Sequence, residues 1–205
     1  MCSSCSAACL LRRVDRRRLE AVCNVVQGCK RLAIVAHSMG SRILTAALDK
    51  ALAMSTATEV AHLLRTATLV FAAADVGRRE FVRVMKEDAA QPSDSSRPLR
   101  IVYFSSYDAA LTLSTFINTE GRAGSRLLLE DSFETIDASA SSGRHFSKHG
   151  YWAQSKPVLA DLRSVIIHGH AAHQRLRRND NTIGTLRHCS CHPVDPRPHY
   201  VIHRP

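Results

Sequence analysis

The sequence has 205 residues, of which 45% are apolar and 22% charged, a composition typical of a globular domain with a sizeable core. No apolar stretch approaches the roughly 20 residues that a membrane-spanning helix needs, and the start lacks the basic region of a signal peptide. We therefore expect a cytoplasmic protein without a membrane span. The net charge of +10 comes largely from arginines near the two ends of the chain. No nucleic-acid-binding motif accompanies them, so we predict no specific nucleic-acid partner.

The cysteines also lie towards the ends of the chain. Seven are present, an odd number that argues against a disulfide framework in a chain without a secretion signal. Cys2, Cys5 and Cys9, and the segment 188–192, superficially resemble metal-binding clusters, but neither has a second half at a suitable spacing. We therefore predict no metal site and no cofactor, and we interpret residues 1–11 as a disordered, Cys-rich start.

Between these ends, the apolar residues alternate between helix and strand patterns. Apolar residues at helical spacing predict helices at 12–27, 43–51, 78–88, 109–118 and 157–168. Short apolar runs predict strands at 31–36, 67–72, 99–105 and 134–137. Strand and helix alternating at this spacing favour a parallel sheet with helices on both sides.

We therefore predict an α/β fold, with a mainly parallel sheet of about four strands flanked by helices. The domain that contains this sheet spans residues 12–170. Residues 171–205 are basic and rich in histidine and proline, and we expect them to form a flexible tail.

A short motif joins the first predicted strand to the next helix. Ala36, His37, Ser38, Met39 and Gly40 form a variant of the G-x-S-x-G nucleophile elbow, with Ala in place of the first Gly. In such an elbow a sharp turn lifts the serine above the carboxyl edge of the sheet, and small neighbours prevent clashes. The alternative is that Ser38 only caps the following helix. The flanking strand and helix favour the elbow, and so predict a serine hydrolase with Ser38 as its nucleophile.

A serine nucleophile needs a base and an acid that orients the base. In the fold that carries this elbow, the order along the chain is Ser, acid, His. Asp108 lies just beyond the strand at 99–105, where the acid is expected, whereas Asp75, after the preceding strand, is the alternative. Either aspartate could instead cap a helix. The base should follow the last strand, where His145 and His149 both qualify.

These residues belong to a series of motifs that resembles bacterial α/β hydrolases of the esterase/lipase superfamily, a family of uncharacterised function. The motifs occur in the family's order, at 36–42, 73–81, 103–114, 122–124, 134–139 and 149–152. The last of them, His-Gly-Tyr-Trp, is similar to the family's Gly-His-Ser-Tyr-Phe segment and so selects His149 over His145. The resemblance therefore implies an α/β-hydrolase fold with a triad of Ser38, Asp108 and His149.

The resemblance also implies that the N-terminal part of the fold is lacking. The family fold places the nucleophile after its fifth strand, whereas 37 residues precede Ser38 here. The backbone N–H of Met39 would supply one donor of the oxyanion hole, but no counterpart is recognised for the second donor, which normally follows the third strand. The strand at 31–36 would also become an unpaired apolar edge, and hence a surface for self-association.

Two hypotheses follow from the sequence. In the first, the chain is a serine hydrolase that acts on a small-molecule acyl substrate, such as a carboxylic ester. In the second, it is a catalytically inactive, truncated hydrolase-like protein or a scaffold that depends on a partner. Labelling of Ser38 by a fluorophosphonate probe separates the two.

Overall fold

The computed structural model of the protein describes residues 6–9, 31–53, 59–91, 97–141, 149–177, 186–189 and 199–202. The strands of these ranges are β1 (Ser6–Cys9), β2 (Arg31–His37), β3 (Thr68–Ala72), β4 (Arg100–Phe104), β5 (Glu134–Asp137), β6 (Leu186–Cys189) and β7 (His199–Ile202). The helices are α1 (Gly40–Ala53), α2 (Glu59–Thr66), α3 (Arg78–Ala90), α4 (Ala109–Asn118), α5 (Tyr151–Gln154), α6 (Lys156–Arg163) and α7 (Ala172–Arg177). A π-helical turn (Ser164–His168) continues α6, and a 3-10 turn (Ser139–Ser141) follows β5.

The predicted α/β fold is confirmed. The four predicted strands correspond to β2, β3, β4 and β5, and the helices predicted after the first three of them correspond to α1, α3 and α4. The last predicted helix corresponds to α6 with its π-helical turn. The helix predicted at 12–27 lies outside the described residues.

The strands form one sheet in the order β1-β2-β3-β4-β5-β7-β6. Neighbouring strands run parallel except for β6 and β7, which are antiparallel. In this register His37 lies opposite Ala72, Ala72 opposite Tyr103, and Phe104 opposite Asp137. The carboxyl ends of β2 to β5 therefore meet at one edge of the sheet, which is where open α/β sheets bind their ligands.

The expectation of an open edge at strand 31–36 is wrong. β1 pairs with β2 in parallel, with Ala8 opposite Ala33, while β3 pairs with the other side of β2. β2 is therefore an inner strand and offers no free edge for self-association. β1 (Ser6–Cys9) lies within the start, residues 1–11, for which the sequence predicts disorder. Strand pairing uses backbone groups that every residue carries, so four small residues can join a sheet without an apolar pattern that reveals them.

The segment 171–205, for which the sequence predicts a flexible tail, contains regular elements in its described parts. Its first residues form α7, and two later stretches form β6 and β7. β7 extends the sheet next to β5, with Tyr200 opposite Ile136. The described sheet therefore has seven strands rather than about four.

Alternate residues of the central strands pack into two separate cores, one on each face of the sheet. On β3, Phe71 lies in the core that α1, α2 and α3 cover, while Val70 lies in the core that α5 and α6 cover. On β4, Val102 and Tyr103 divide in the same way. Because both faces of the sheet are covered, its strands are apolar on both sides and read as continuous apolar runs.

Candidate active site

Ser38 adopts a conformation that L-residues rarely adopt. It lies directly between β2 and the start of α1, with φ at 52°, in the left-handed region where a side chain is unfavourable. Its backbone N–H donates to the carbonyl of Ala72 (3.1 Å), and its own carbonyl accepts from the N–H groups of Ser41 (3.0 Å) and Asp75 (3.2 Å). These three hydrogen bonds hold a sharp turn at the carboxyl end of β2, as a nucleophile elbow requires.

The contacts around Gly40 leave room for a larger side chain. A Cβ added to Gly40 would meet nothing within 4 Å among the described residues. A requirement for close packing therefore does not explain Gly40 in this turn.

Asp108 follows β4 and has two partners. One oxygen, Oδ1, accepts from the backbone N–H of Leu111 (3.0 Å) and so caps the start of α4. The other, Oδ2, lies 2.8 Å from Nδ1 of His149. The side chain of Asp108 is fully buried and that of His149 is 19% exposed. Asp108 therefore caps a helix and contacts a histidine at the same time, so the two roles considered for it from the sequence do not exclude each other.

His149 is the first residue of the described range 149–177, and its ring contacts Asp108. Because a carboxylate only accepts, the contact with Asp108 assigns the ring hydrogen of neutral His149 to Nδ1 and leaves Nε2 as the acceptor. This is the tautomer that can take a proton from a serine hydroxyl. His145, the other predicted base, lies outside the described residues.

His37, the residue directly before Ser38, contacts His149 in two ways. The Nε2 atom of His37 lies 3.3 Å from the carbonyl oxygen of His149, and the two rings are 4.7 Å apart at an angle of 45°. The ring of Trp152 lies 5.2 Å from that of His37, as its second ring contact. Burial lowers the pKa of His37, and the nearby His149 lowers it further. His37 and Trp152 belong to the motifs at 36–42 and 149–152, but the sequence assigns neither of them a role of its own.

Tyr151 anchors the chain two residues after His149. Its hydroxyl donates to the carbonyl of Tyr103 (2.8 Å) and accepts from the N–H of Ala73 (3.1 Å). Ala73 has φ at 48°, so this hydrogen bond supports a second strained turn, at the end of β3. Burial raises the pKa of Tyr151 well above its ordinary value, which keeps the hydroxyl protonated as a donor.

Asp75, the alternative acid, contacts arginines. Its carboxylate lies 3.1 Å from Nη2 of Arg42 and 2.9 Å from Nε of Arg122, and it accepts from the hydroxyl of Ser114 (2.6 Å). Those three are its side-chain partners among the residues that the structure describes. The aspartate that meets a histidine is thus Asp108. Arg42, Arg122 and Ser114 each belong to one of the motifs of the sequence, at 36–42, 122–124 and 103–114, but the motifs alone do not indicate that they meet at Asp75.

The predicted oxyanion donor Met39 lies at the start of α1, where the first N–H groups of a helix have no partner within it. Its side chain is 63% exposed. The second donor of such a hole comes from the loop after the strand that neighbours the nucleophile's strand. β1 occupies this position in the sheet, and the residues that follow it, 10–30, lie outside the described ranges.

The described residues contain neither a metal-binding cluster nor a membrane-spanning helix. No three of their His, Cys, Asp or Glu side chains are grouped so as to hold a metal ion. None of their helices has the length and apolar character needed to cross a membrane. The clusters at Cys2, Cys5 and Cys9 and at 188–192 are not among the side chains that the structure describes.

Comparison with known proteins identifies a family for this chain. The model of a family described as an alpha/beta hydrolase of unknown function (DUF900) matches residues 13–165. The matched span contains Ser38, Asp108 and His149. Neither the curated proteins nor the solved structures gave a match.

Proposed function

This chain belongs to the α/β hydrolases of that family, and on this premise we propose that it is a serine hydrolase acting on carboxylic esters or related acyl substrates. Ser38 is the nucleophile, His149 the base and Asp108 the residue that orients the base. The observation that carries the proposal is the 2.8 Å contact between Asp108 Oδ2 and His149 Nδ1, at the sheet edge where Ser38 forms a strained turn.

The reaction proceeds in two halves. His149 takes the proton of the Ser38 hydroxyl through Nε2 while the oxygen attacks the carbonyl carbon of the substrate. The tetrahedral intermediate carries its negative charge on the former carbonyl oxygen, towards which the backbone N–H of Met39 donates. His149 then returns the proton to the leaving alcohol, which departs and leaves an acyl group on Ser38. Water, deprotonated by the same histidine, attacks this acyl group and releases the acid and free Ser38.

The electrostatic environment suits these steps. The imidazolium that forms on His149 lies against the buried carboxylate of Asp108, and such a pair is stabilised strongly where water is excluded. Asp75 does not compete for this role, because its carboxylate lies between Arg42 and Arg122.

A fluorophosphonate probe tests the proposal without knowledge of the substrate, because it labels an activated serine covalently. We expect labelling of the wild-type protein at Ser38, identified by mass spectrometry of the modified peptide. Ser38→Ala should abolish labelling. Ser106→Ala, which changes an exposed serine near the same sheet edge, should leave it unchanged.

Absence of labelling in folded wild-type protein would overturn the proposal. It would favour a hydrolase-like protein without catalytic activity. Labelling that persists in Ser38→Ala would place the reactive serine elsewhere.

A further inference from the structure

His37 lies where it can act on both the proposed nucleophile and the proposed base. It is the last residue of β2, in register with Ala72 of β3, and is therefore fixed by the sheet. Ser38 follows it directly in the chain. Its side chain reaches His149, with Nε2 at 3.3 Å from the carbonyl oxygen and ring centres 4.7 Å apart.

We propose that His37 is a positioning residue that fixes the orientation of His149 relative to Ser38. This inference rests on the proposed serine-hydrolase function, because it assigns a role in that reaction. It adds a residue that the triad does not contain and that makes no bond to the reacting atoms.

One contact with Asp108 is not enough to orient an imidazole. A single hydrogen bond between Nδ1 and Oδ2 holds one atom of the His149 ring and leaves small rotations of the side chain about its χ1 and χ2 bonds. The ring of His37, with its centre 4.7 Å from that of His149 and its plane inclined at 45°, packs against the His149 ring and limits these rotations. The hydrogen bond to the carbonyl of His149 fixes the backbone from which the ring projects. Asp108 and His37 together therefore restrict both the ring and its attachment.

The ring of His37 is itself held in place. Trp152, three residues after His149, packs against His37 with ring centres 5.2 Å apart and planes inclined at 34°. The segment that carries His149 therefore contacts His37 through both a backbone carbonyl and a second aromatic side chain.

The protonation state of His37 agrees with this role. A carbonyl oxygen only accepts, so Nε2 of His37 must carry a hydrogen, as it does in one neutral tautomer. The titratable groups that face His37 are His149 and Asp108. Burial lowers the pKa of His37 most and the charge of the His149 ring lowers it further, while the hydrogen bond to the His149 carbonyl and the charge of Asp108 oppose the change. A neutral His37 adds no second positive charge when His149 becomes an imidazolium during the reaction.

The test separates the ring contact from the hydrogen bond. His37→Phe keeps a ring and removes the donor, His37→Gln keeps an N–H donor and removes the ring, and His37→Ala removes both. His62→Gln is the matched control, because His62 is an exposed histidine on α2. Each variant is compared with wild type in its thermal unfolding, its rate of labelling by a fluorophosphonate, and its kcat and KM for a p-nitrophenyl ester.

We expect kcat to fall about 10- to 100-fold in His37→Ala, with KM unchanged, since small displacements of a catalytic group cost rates of this order. His37→Phe and His37→Gln should each retain part of the lost activity, and His62→Gln should match wild type. A loss of folding would instead show as a lowered unfolding temperature with the same kcat per folded molecule.

Two results overturn the inference in different ways. If wild type is labelled and His37→Ala is labelled at the same rate with an unchanged kcat, His37 has no positioning role and the proposed function remains. If folded wild type is not labelled at all, the proposed function fails and the inference fails with it.

Discussion

The backbone N–H of Asp75 donates a hydrogen bond to the carbonyl oxygen of Ser38, with nitrogen and oxygen 3.2 Å apart. The carboxylate of the same residue holds Arg42, which lies on the helix that follows Ser38, and the buried Arg122. Asp75 therefore ties the elbow to the end of β3. Asp108, one strand further along the sheet, contacts His149 instead. The two aspartates that the sequence offers as acids thus have different structural roles.

This division predicts that two matched substitutions affect different properties, Asp108→Asn the reactivity of Ser38 and Asp75→Asn the stability of the fold. Asp108→Asn keeps an oxygen for the N–H of Leu111 but presents an amide N–H to His149, which then carries its own hydrogen on Nε2 and cannot take the proton of Ser38. We expect the fluorophosphonate labelling rate to fall about 10³- to 10⁴-fold. Asp75→Asn removes the charge between two arginines and should cost about 3 kcal/mol in the free energy of unfolding.

Urea unfolding and labelling kinetics, measured on both variants, check this prediction. The labelling rate per folded molecule of Asp75→Asn should remain much closer to wild type than that of Asp108→Asn. If Asp75→Asn proves the less reactive of the two while fully folded, the assignment of the acid to Asp108 is wrong.

The lowered pKa of His37 predicts a pH dependence of stability. Its folded pKa lies below the ordinary value of 6.5, so the unfolded chain binds the proton more tightly. The stabilisation that neutral His37 adds to the free energy of unfolding is therefore fully present above pH 6.5, and it is lost as the pH falls through the folded pKa. His37→Gln lacks this contribution. We expect the unfolding free energy of wild type, relative to His37→Gln, to decrease as the pH is lowered.

Urea unfolding at intervals from about pH 8 to about pH 5 measures this difference directly. His62→Gln provides the comparison, since His62 is exposed on α2. A difference between wild type and His37→Gln that stays constant or grows towards low pH contradicts the prediction.

The sequence could predict those strands whose apolar run is long enough to be recognised, such as β2 and β3. It could not predict β1, which has the sequence Ser-Ala-Ala-Cys, or β6, which carries an arginine and a histidine. These strands are defined by the neighbours with which they pair, and β7 meets β5 across more than sixty residues of chain. Pairing over such separations leaves no local pattern.

The candidate site shows the same limit. Ser38, Asp108 and His149 could be identified because each follows a predicted strand or belongs to a motif. The choice between Asp108 and Asp75 depends on which carboxylate reaches His149, and that is a property of side-chain packing. His37 is an ordinary residue of the elbow motif in the sequence, and its contact with His149 exists only because the fold joins positions 112 residues apart.

Gly124 permits a close backbone approach beside the site. Its N–H donates to the carbonyl of Ala74 (3.0 Å), and its carbonyl accepts from the N–H of Ser105 (3.2 Å). A Cβ at this position would lie 2.1 Å from the nitrogen of Ala74, a distance that backbone atoms cannot relieve without moving. We expect Gly124→Ala to lower the unfolding free energy by about 3 kcal/mol or more, as measured in urea.

Gly121→Ala is the matched control, because a Cβ there would meet nothing within 4 Å among the described residues. It should unfold at nearly the same urea concentration as wild type. Equal stabilities for the two variants would show that the chain at 122–124 does not lie against the end of β3.

Arg100, the first residue of β4, is a buried cation that joins three parts of the fold. Its side chain is 2% exposed and lies 2.8 Å from the carboxylate of Asp88 on α3. It also donates to the carbonyl of Leu64 (3.2 Å), near the end of α2, and to that of Ala67 (2.6 Å), just after this helix. Arg100→Met leaves the Asp88 carboxylate buried without its partner, so we expect a loss of about 3 to 5 kcal/mol in the free energy of unfolding.

Arg83 provides the contrast, since it also contacts two carboxylates but is 49% exposed. Water and salt screen such a pair, and its side chains lose conformational freedom when they are held together. Arg83→Met should therefore leave the midpoint of urea unfolding almost unchanged, although Asp49 and Glu87 raise the pKa of Arg83. A destabilisation of Arg83→Met as large as that of Arg100→Met would mean that burial does not decide the strength of these ion pairs, and the account of how Arg100 fixes β4 would have to be abandoned.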